Sequence, residues 1–243
     1  MLKEVEQILR RNSPKQKKQT YFEPESYMGT GFFMLGLNVP KQREIFKKGY
    51  SFSSLSLEEQ LIIWDKIWAD TEIFEVLTQA MFFTEKYVNK FDPKILFSIL
   101  KKWIKKVDNW GHSDLMSAII AKMLVKEADL VLPQLKKWNV SKNPWERRQS
   151  IVSLAMYHRR NKNLDFKMVI GMVKNLLEDD HYFVQKGVGW SLREIGTQYP
   201  AEMWKFLNEN VHQISSIAFS ASVEKIATDK KEKLKALRKK SRS

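Results

Sequence analysis

The helical segments of this chain repeat with a period of about 35 residues, and this period constrains the fold more than any other feature. From Leu57 onward, apolar residues recur at the spacing of amphipathic helices, and the helices come in pairs. The second helices are predicted to begin near Thr71, Trp110, Pro144, Asp180 and Ser215, which gives spacings of 39, 34, 36 and 35 residues. Because units of this size stack to bury a shared core, the sequence predicts an all-α solenoid of HEAT-like helical pairs.

The solenoid is predicted to be a single domain that spans residues 1–228. An amphipathic helix is expected over residues 1–12, and Pro40 is placed to open a second helix after the apolar segment 27–37. Residues 229–243 are rich in lysine and are predicted to form a flexible basic tail.

The second helices of an α-solenoid form its inner, concave surface. Neighbouring helices in such a stack lie about 8–10 Å apart, so side chains from successive helices converge on one bound group. The residues predicted to line this groove are Trp110, Asp114, Trp145, Arg147, Arg148, Lys186, Trp190 and Arg193. For the three tryptophans, packing in the core remains the alternative to a role in binding.

The charge of the chain points to a polyanionic partner. Lysine and arginine number 42 against 28 acidic residues, which gives a net charge of +14 and a pI of about 9.7. The tail contributes +6, so residues 1–228 carry the remaining +8, with adjacent pairs at Arg147-Arg148 and Arg159-Arg160. Charge alone leaves RNA, DNA and an anionic membrane surface open as partners.

Several classes of protein are disfavoured by what the sequence lacks. There is no cysteine, and the four histidines are scattered without the spacing of a metal site, so we expect no metal. No apolar run approaches the ~18 residues of a spanning helix, and the N-terminus has no apolar leader segment. We therefore expect a soluble cytoplasmic protein with no membrane association.

Trp110 and Asp114 are the candidate residues for chemistry. If a helix begins near Trp110, residues four apart lie on one face and place an indole beside a carboxylate. Such a face attracts a cation and stabilises developing positive charge on a sugar or base. The alternative is an ordinary helix start, with Asn109 as N-cap, Trp110 in the core and Asp114 on a solvated face.

Three stretches of the chain resemble the signatures of the AlkD-like DNA alkylation repair enzymes. These are Asn109-Trp110 with Asp114, the segment Asn143–Arg148, and the segment Phe183–Glu194 that contains Lys186, Trp190 and Arg193. The N-terminal segment from Tyr27 to Pro40 is similar to the opening of that family. The resemblance covers roughly residues 20 to 226, and the third stretch is its most specific part.

The resemblance implies a fold and an activity. Members of that family are HEAT-like solenoids that act as DNA glycosylases, releasing cationic alkylated purines such as 3-methyladenine and 7-methylguanine without a metal or other cofactor. We expect duplex DNA as the partner, and a monomer, which is the simplest arrangement for a solenoid that embraces DNA. By carry-over, Asp114 is the catalytic carboxylate, Trp110 and Trp190 are aromatic walls around the lesion, and Arg148 contacts a phosphate. We expect Trp145, Arg147, Lys186 and Arg193 to add DNA contacts, and the protein to associate with the nucleoid when bound to DNA.

A single carboxylate is chemically sufficient for this class of substrate. Ordinary glycoside hydrolysis needs a second carboxyl group to protonate the leaving group. An alkylated purine already carries positive charge and leaves as a neutral base, so one carboxylate that stabilises the sugar cation and orients water is enough. Normal bases lack that charge and are not expected to react.

The chain departs from the family pattern at two places. Gly111 and His112-Ser113 follow Trp110 where the family has an acidic residue and a more apolar pair, and Ser215–Phe219 stand where arginines are common. Both changes keep a second class of function open, a catalytically silent HEAT-like scaffold that binds DNA or RNA. A third hypothesis is a protein-binding solenoid with an incidental basic surface.

Overall fold

The computed structural model describes residues 1–14, 24–158 and 165–240, so the Arg159-Arg160 pair and the last three residues lie outside the described part. Within it the prediction of an all-α fold is confirmed, because the residues form helices and no β-strand. The α-helices are α1 (Leu2–Asn12), α2 (Pro24–Met28), α3 (Val39–Lys48), α4 (Leu57–Asp70), α5 (Phe74–Tyr87), α6 (Pro93–Trp103), α7 (Trp110–Leu124), α8 (Ala128–Asn139), α9 (Pro144–His158), α10 (Phe166–Lys174), α11 (Tyr182–Gln198), α12 (Pro200–Asn210), α13 (Ser216–Ser222) and α14 (Thr228–Lys240).

The predicted helical pairs are present from α4 to α13. Their second helices, α5, α7, α9, α11 and α13, begin at residues 74, 110, 144, 182 and 216, and are therefore spaced by 36, 34, 38 and 34 residues. Each start lies within three residues of its predicted position. Local signals explain this agreement: Pro144 occupies the first turn of α9, and Asn143 accepts a hydrogen bond from the backbone N–H of Trp145 at 2.9 Å.

The chain divides into two compact units, Met1–Ile119 and Ile120–Ser243. In unit 1, helices α1, α3 and α4 pack against α5. Its core is rich in aromatic side chains, and the rings of Trp68 and Trp103 stack at 4.5 Å. The single domain over residues 1–228 stays a prediction.

A buried carboxylate holds the connection between α2 and α3 in unit 1. Glu75, in the first turn of α5, is fully buried and accepts the backbone N–H groups of Leu35 and Leu37 at 2.9 and 3.1 Å. Burial raises the pKa of Glu75, and the backbone hydrogen bonds partly oppose that rise. Glu75 thus fixes the segment that precedes α3.

Unit 2 is built around α11, which packs against α9 on one side and α13 on the other. Two glycines of α11 make this close packing possible. A Cβ atom at Gly187 would lie 3.0 Å from Nη1 of Arg148 on α9, and one at Gly189 would lie 2.4 Å from the carbonyl oxygen of Ala218 on α13. Only a residue without a side chain fits against the α13 backbone.

The basic segment that we predicted as a flexible tail instead forms α14 over the residues described. The side chain of Leu234 is fully buried, and that of Arg238 is 8% exposed. Arg238 donates to the carbonyl oxygens of Val211 (3.1 Å) and Ile214, beyond the end of α12, and lies 4.5 Å from the Phe219 ring centroid. Residues 234 and 238 share one helix face, so one apolar and one cationic anchor together dock the helix.

Candidate active site

The start of α7 lies in unit 1 and is capped by Asn109. The Asn109 side-chain oxygen accepts the backbone N–H of His112 at 2.8 Å, and its carbonyl accepts the N–H of Ser113 at 3.2 Å. The helix therefore begins at Trp110, as predicted, and places Trp110 and Asp114 on the same face. Both residues are half-buried.

A short segment, residues 27–31, lies against the start of α7, and we call it the strap. The carbonyl oxygen of Tyr27 accepts the indole N–H of Trp110 at 3.0 Å, and the two rings meet edge to face at 5.6 Å. Asp108 holds the other end, because its carboxylate accepts the Thr30 hydroxyl at 2.8 Å and the Gly31 N–H at 2.7 Å. Sequence reasoning missed Asp108, because these partners are more than 70 residues away in the chain.

The strap explains why residue 111 is a glycine. A Cβ atom at this position would lie 2.4 Å from the terminal methyl group of Met28 and 3.4 Å from the ring of Phe74. The departure of Gly111 from the family pattern thus leaves room for the Met28 side chain above the first turn of α7.

His112 connects α7 to α5 and is fully buried. Its Nε2 lies 3.1 Å from both the Phe74 carbonyl oxygen and the Thr78 hydroxyl, and its Nδ1 lies 2.9 Å from the Asn109 side-chain nitrogen. A carbonyl oxygen only accepts, so this network assigns the proton to Nε2 and leaves Nδ1 to accept from Asn109. Burial lowers the pKa of His112 to about 4, so the ring is neutral at physiological pH.

In unit 2, Trp145 and Arg147 are engaged by neighbouring residues. Trp145 is 8% exposed and stacks on Phe183 at 5.4 Å. Arg147 donates to both carboxylate oxygens of Asp179, and its Nη1 donates to the carbonyl oxygens of Ser141 and Lys142 at 2.9 and 3.0 Å. The Asp179 hydrogen bonds are the main reason that the pKa of Arg147 is raised. The contacts make Trp145 a packing residue and compensate the charge of Arg147 within the unit.

The remaining predicted residues of unit 2 differ in their environment. Arg148 is 6% exposed, and its Nη1 donates to the Phe183 carbonyl oxygen at 2.7 Å. Along α11, Lys186 is exposed and Trp190 is half-buried. Arg193 forms ion pairs with Glu194 at 2.9 Å and with Glu224.

The predicted residues therefore fall into two groups, each described within its own unit. Trp110 and Asp114 share the first turns of α7 in unit 1. The other six lie on α9 and α11, which pack against each other in unit 2. Across residues 1–14, 24–158 and 165–240, no group of three or more potential metal ligands forms, and no helix is long and apolar enough to cross a membrane.

A family model described as "DNA alkylation repair enzyme" matches residues 5–226. The chain belongs to the DNA alkylation repair enzyme family. Membership gives it a role in alkylation repair, with DNA as its partner. A search of curated proteins finds no significant match.

A solved structure of a similar protein supports the fold of this family member. It resembles a predicted DNA alkylation repair enzyme from Enterococcus faecalis, with 17% identity, coverage of 87% of this chain and 100% of the other, and a TM-score of 0.72. AlkD2 from Streptococcus mutans aligns with 20% identity over 82% of this chain and 98% of its own, with a TM-score of 0.48. The fold of the chain is thus the helical-repeat fold of the alkylation repair family.

Proposed function

We propose that this family member is a DNA glycosylase that hydrolyses the N-glycosidic bond of cationic alkylated purines in duplex DNA. The observation that carries the proposal is the start of α7, where the half-buried carboxylate of Asp114 and the indole of Trp110 share one face. Substrates of this class include 3-methyladenine and 7-methylguanine. The products are the free neutral base and an abasic site in the DNA.

In the proposed reaction, Asp114 acts on the sugar. As the bond from C1′ to the purine nitrogen breaks, its electron pair goes to the base and neutralises the positive charge of the alkylated ring. The carboxylate of Asp114 stabilises the oxocarbenium-like sugar that remains and accepts a proton from the attacking water. The face of Trp110 adds an electrostatic attraction for the cationic group.

The residues of unit 2 are proposed to bind DNA. Lys186 is exposed and suited to a phosphate contact, and Trp190 is proposed as the second aromatic wall on the strength of the family resemblance. Arg148 is buried and donates to the Phe183 carbonyl oxygen, so its proposed phosphate contact is supported by the family resemblance alone. Arg147, Trp145 and Arg193 already make contacts within unit 2, so we propose that they chiefly hold the binding elements in place.

Release of base from methylated DNA tests the proposal directly. The protein is incubated with methylated duplex DNA, and free 3-methyladenine and 7-methylguanine are measured beside a buffer control, with DNA binding measured in parallel. Release above the control is expected. Binding without release would replace the glycosylase proposal with the silent DNA-binding scaffold.

The Asp114→Asn variant tests the assignment of the carboxylate. The single-turnover rate of release should fall on the order of a hundredfold or more, because a neutral amide neither stabilises a sugar cation nor accepts a proton. DNA affinity should change little. Asp129→Asn, which makes the same chemical change at an exposed position on α8, serves as the matched control and should release base at the wild-type rate. Equal rates in the two variants would remove Asp114 from the catalytic role.

A further inference from the structure

We infer that Asp108 is a positioning residue, which holds the strap closed on α7 and thereby sets the orientation of the Trp110 indole. This inference rests on the proposed function of Trp110 and adds a residue that does not itself touch the substrate. It is carried by a chain of contacts that lies wholly within unit 1.

The first step in that chain is the double anchor at Asp108. Each carboxylate oxygen accepts a hydrogen bond from the strap, Oδ1 from the Thr30 hydroxyl and Oδ2 from the Gly31 N–H. Oδ1 also accepts from the Asn109 side-chain nitrogen at 2.9 Å. Because Asn109 caps α7 through its own side-chain oxygen, the same cluster fixes both the strap and the first residue of the helix.

The second step is the pair of contacts that the strap makes with Trp110. An indole has one polar atom, and here its N–H is directed at the Tyr27 carbonyl oxygen at 3.0 Å. The Tyr27 ring packs edge to face with the indole, at an interplanar angle of 88°. A hydrogen bond at one edge and a ring contact together restrict both side-chain torsions of Trp110, and so define which face it offers to a ligand.

The third step is the close approach of the strap at Gly111. The Met28 methyl group occupies the space that a Cβ atom at residue 111 would need, 2.4 Å from its expected position. A larger residue at position 111 would displace the end of the Met28 side chain, and Met28 lies directly after Tyr27 in the strap. Gly111 and Asp108 therefore have related effects: one leaves room for the strap, and the other holds it.

Two measurements on Asp108→Asn test the inference. The isosteric amide retains only one acceptor oxygen, so either the Gly31 N–H or the Asn109 side-chain N–H faces a second donor and loses its hydrogen bond. Protein labelled with 5-fluorotryptophan gives fluorine resonances from its eight tryptophans, and the Trp110 signal is assigned with Trp110→Phe. In Asp108→Asn this resonance should shift or broaden, and single-turnover release at saturating protein should fall about ten- to a hundredfold with DNA affinity nearly unchanged.

A second pair of variants tests whether the effects come from loss of folding. Gly111→Ala should perturb the Trp110 resonance, because its Cβ atom displaces the flexible end of the Met28 side chain, and should lower the release rate by less than Asp108→Asn does. Adding Met28→Ala removes the displaced group, so the double variant should recover the resonance and rate of Met28→Ala alone. Simple loss of folding would instead change the resonances of all eight tryptophans and not that of Trp110 alone.

The outcomes separate this inference from the proposed function. An unchanged Trp110 resonance in both Asp108→Asn and Gly111→Ala would overturn the inference. If the wild-type protein releases base, an unchanged release rate in Asp108→Asn would overturn it as well. Absence of release by the wild-type protein would contradict the proposed function and therefore also a positioning role of Asp108 in catalysis. In that case the fluorine spectra still decide whether the strap sets the indole. Asp129→Asn is again the control and should leave both readouts at their wild-type values.

Discussion

His112 couples the stability of unit 1 to pH. Its pKa is lowered by burial to about 4, whereas an unfolded histidine titrates near 6.5. Between these values the unfolded chain binds a proton that the native chain does not, so the free energy of unfolding falls as pH decreases through this window. The full difference is on the order of 3 kcal/mol, and the associated stability is present above the unfolded pKa.

We therefore expect His112→Gln to remove much of the pH dependence between about pH 7 and pH 4. Glutamine retains a side-chain N–H that is able to donate to the Phe74 carbonyl oxygen, but it does not titrate. Urea unfolding at several pH values measures the slope. His212→Gln changes an exposed histidine and should keep the wild-type slope. Identical slopes in all three proteins would exclude His112 as the coupled group.

At the scale of the element, the contact between α11 and α13 depends on the absence of a side chain. Ala at position 189 would place Cβ 2.4 Å from a backbone carbonyl oxygen and 2.9 Å from the Ala218 Cα, atoms that move only if a helix moves. We expect Gly189→Ala to lower the free energy of unfolding by about 1–3 kcal/mol. This loss exceeds the gain that alanine normally brings to a helix interior.

Gly171 provides the matched control for this prediction. It lies within α10, and a Cβ atom there would meet nothing within 4 Å. Gly171→Ala should therefore stabilise the protein by roughly 0.5–1 kcal/mol through helix propensity alone. Denaturant unfolding compares the two variants, and equal effects would show that the helices do not pack as closely as described.

At the scale of the whole molecule, the net charge of +14 is expected to govern affinity for DNA. Because α14 is docked through Leu234 and Arg238, deleting it would expose core surface as well as remove charge. Substituting its exposed lysines is the cleaner test. Lys233 and Lys239 are both exposed, so changing them to Gln leaves the anchors intact.

We expect the Lys233→Gln/Lys239→Gln variant to bind DNA more weakly. Each lost phosphate contact should flatten the slope of log affinity against log salt by about 0.9. Release at saturating protein should be unchanged. A double substitution of two exposed lysines in unit 1, Lys90→Gln/Lys94→Gln, makes the same change in net charge and should affect the slope less. Equal slopes in the two variants would assign the effect to overall charge rather than to α14.

The helices and their order were predictable because their signals are local. Apolar spacing, Pro144 in the first turn of α9 and Asn109 at the start of α7 each act within a few residues, so the period and the helix starts emerged from the sequence alone. The same reasoning placed Trp110 and Asp114 on one face, since helix geometry alone decides that relation. The signature stretches likewise pointed to the alkylation repair family.

Tertiary structure decided what those side chains do. The sequence predicted Arg147 as a DNA contact. In the structure its guanidinium group instead donates to the carboxylate of Asp179, 32 residues away. Gly111 departs from the family pattern, and the structure explains it by the Met28 methyl group that lies against it. The basic segment at the C-terminus has a structural role because Arg238 donates to the carbonyl oxygen of Val211. Local spacing determines where a helix begins and which residues share a face. Only the folded chain determines which distant residue neutralises a charge, fills a space or orients an indole, because those partners are brought together by packing and not by spacing along the sequence.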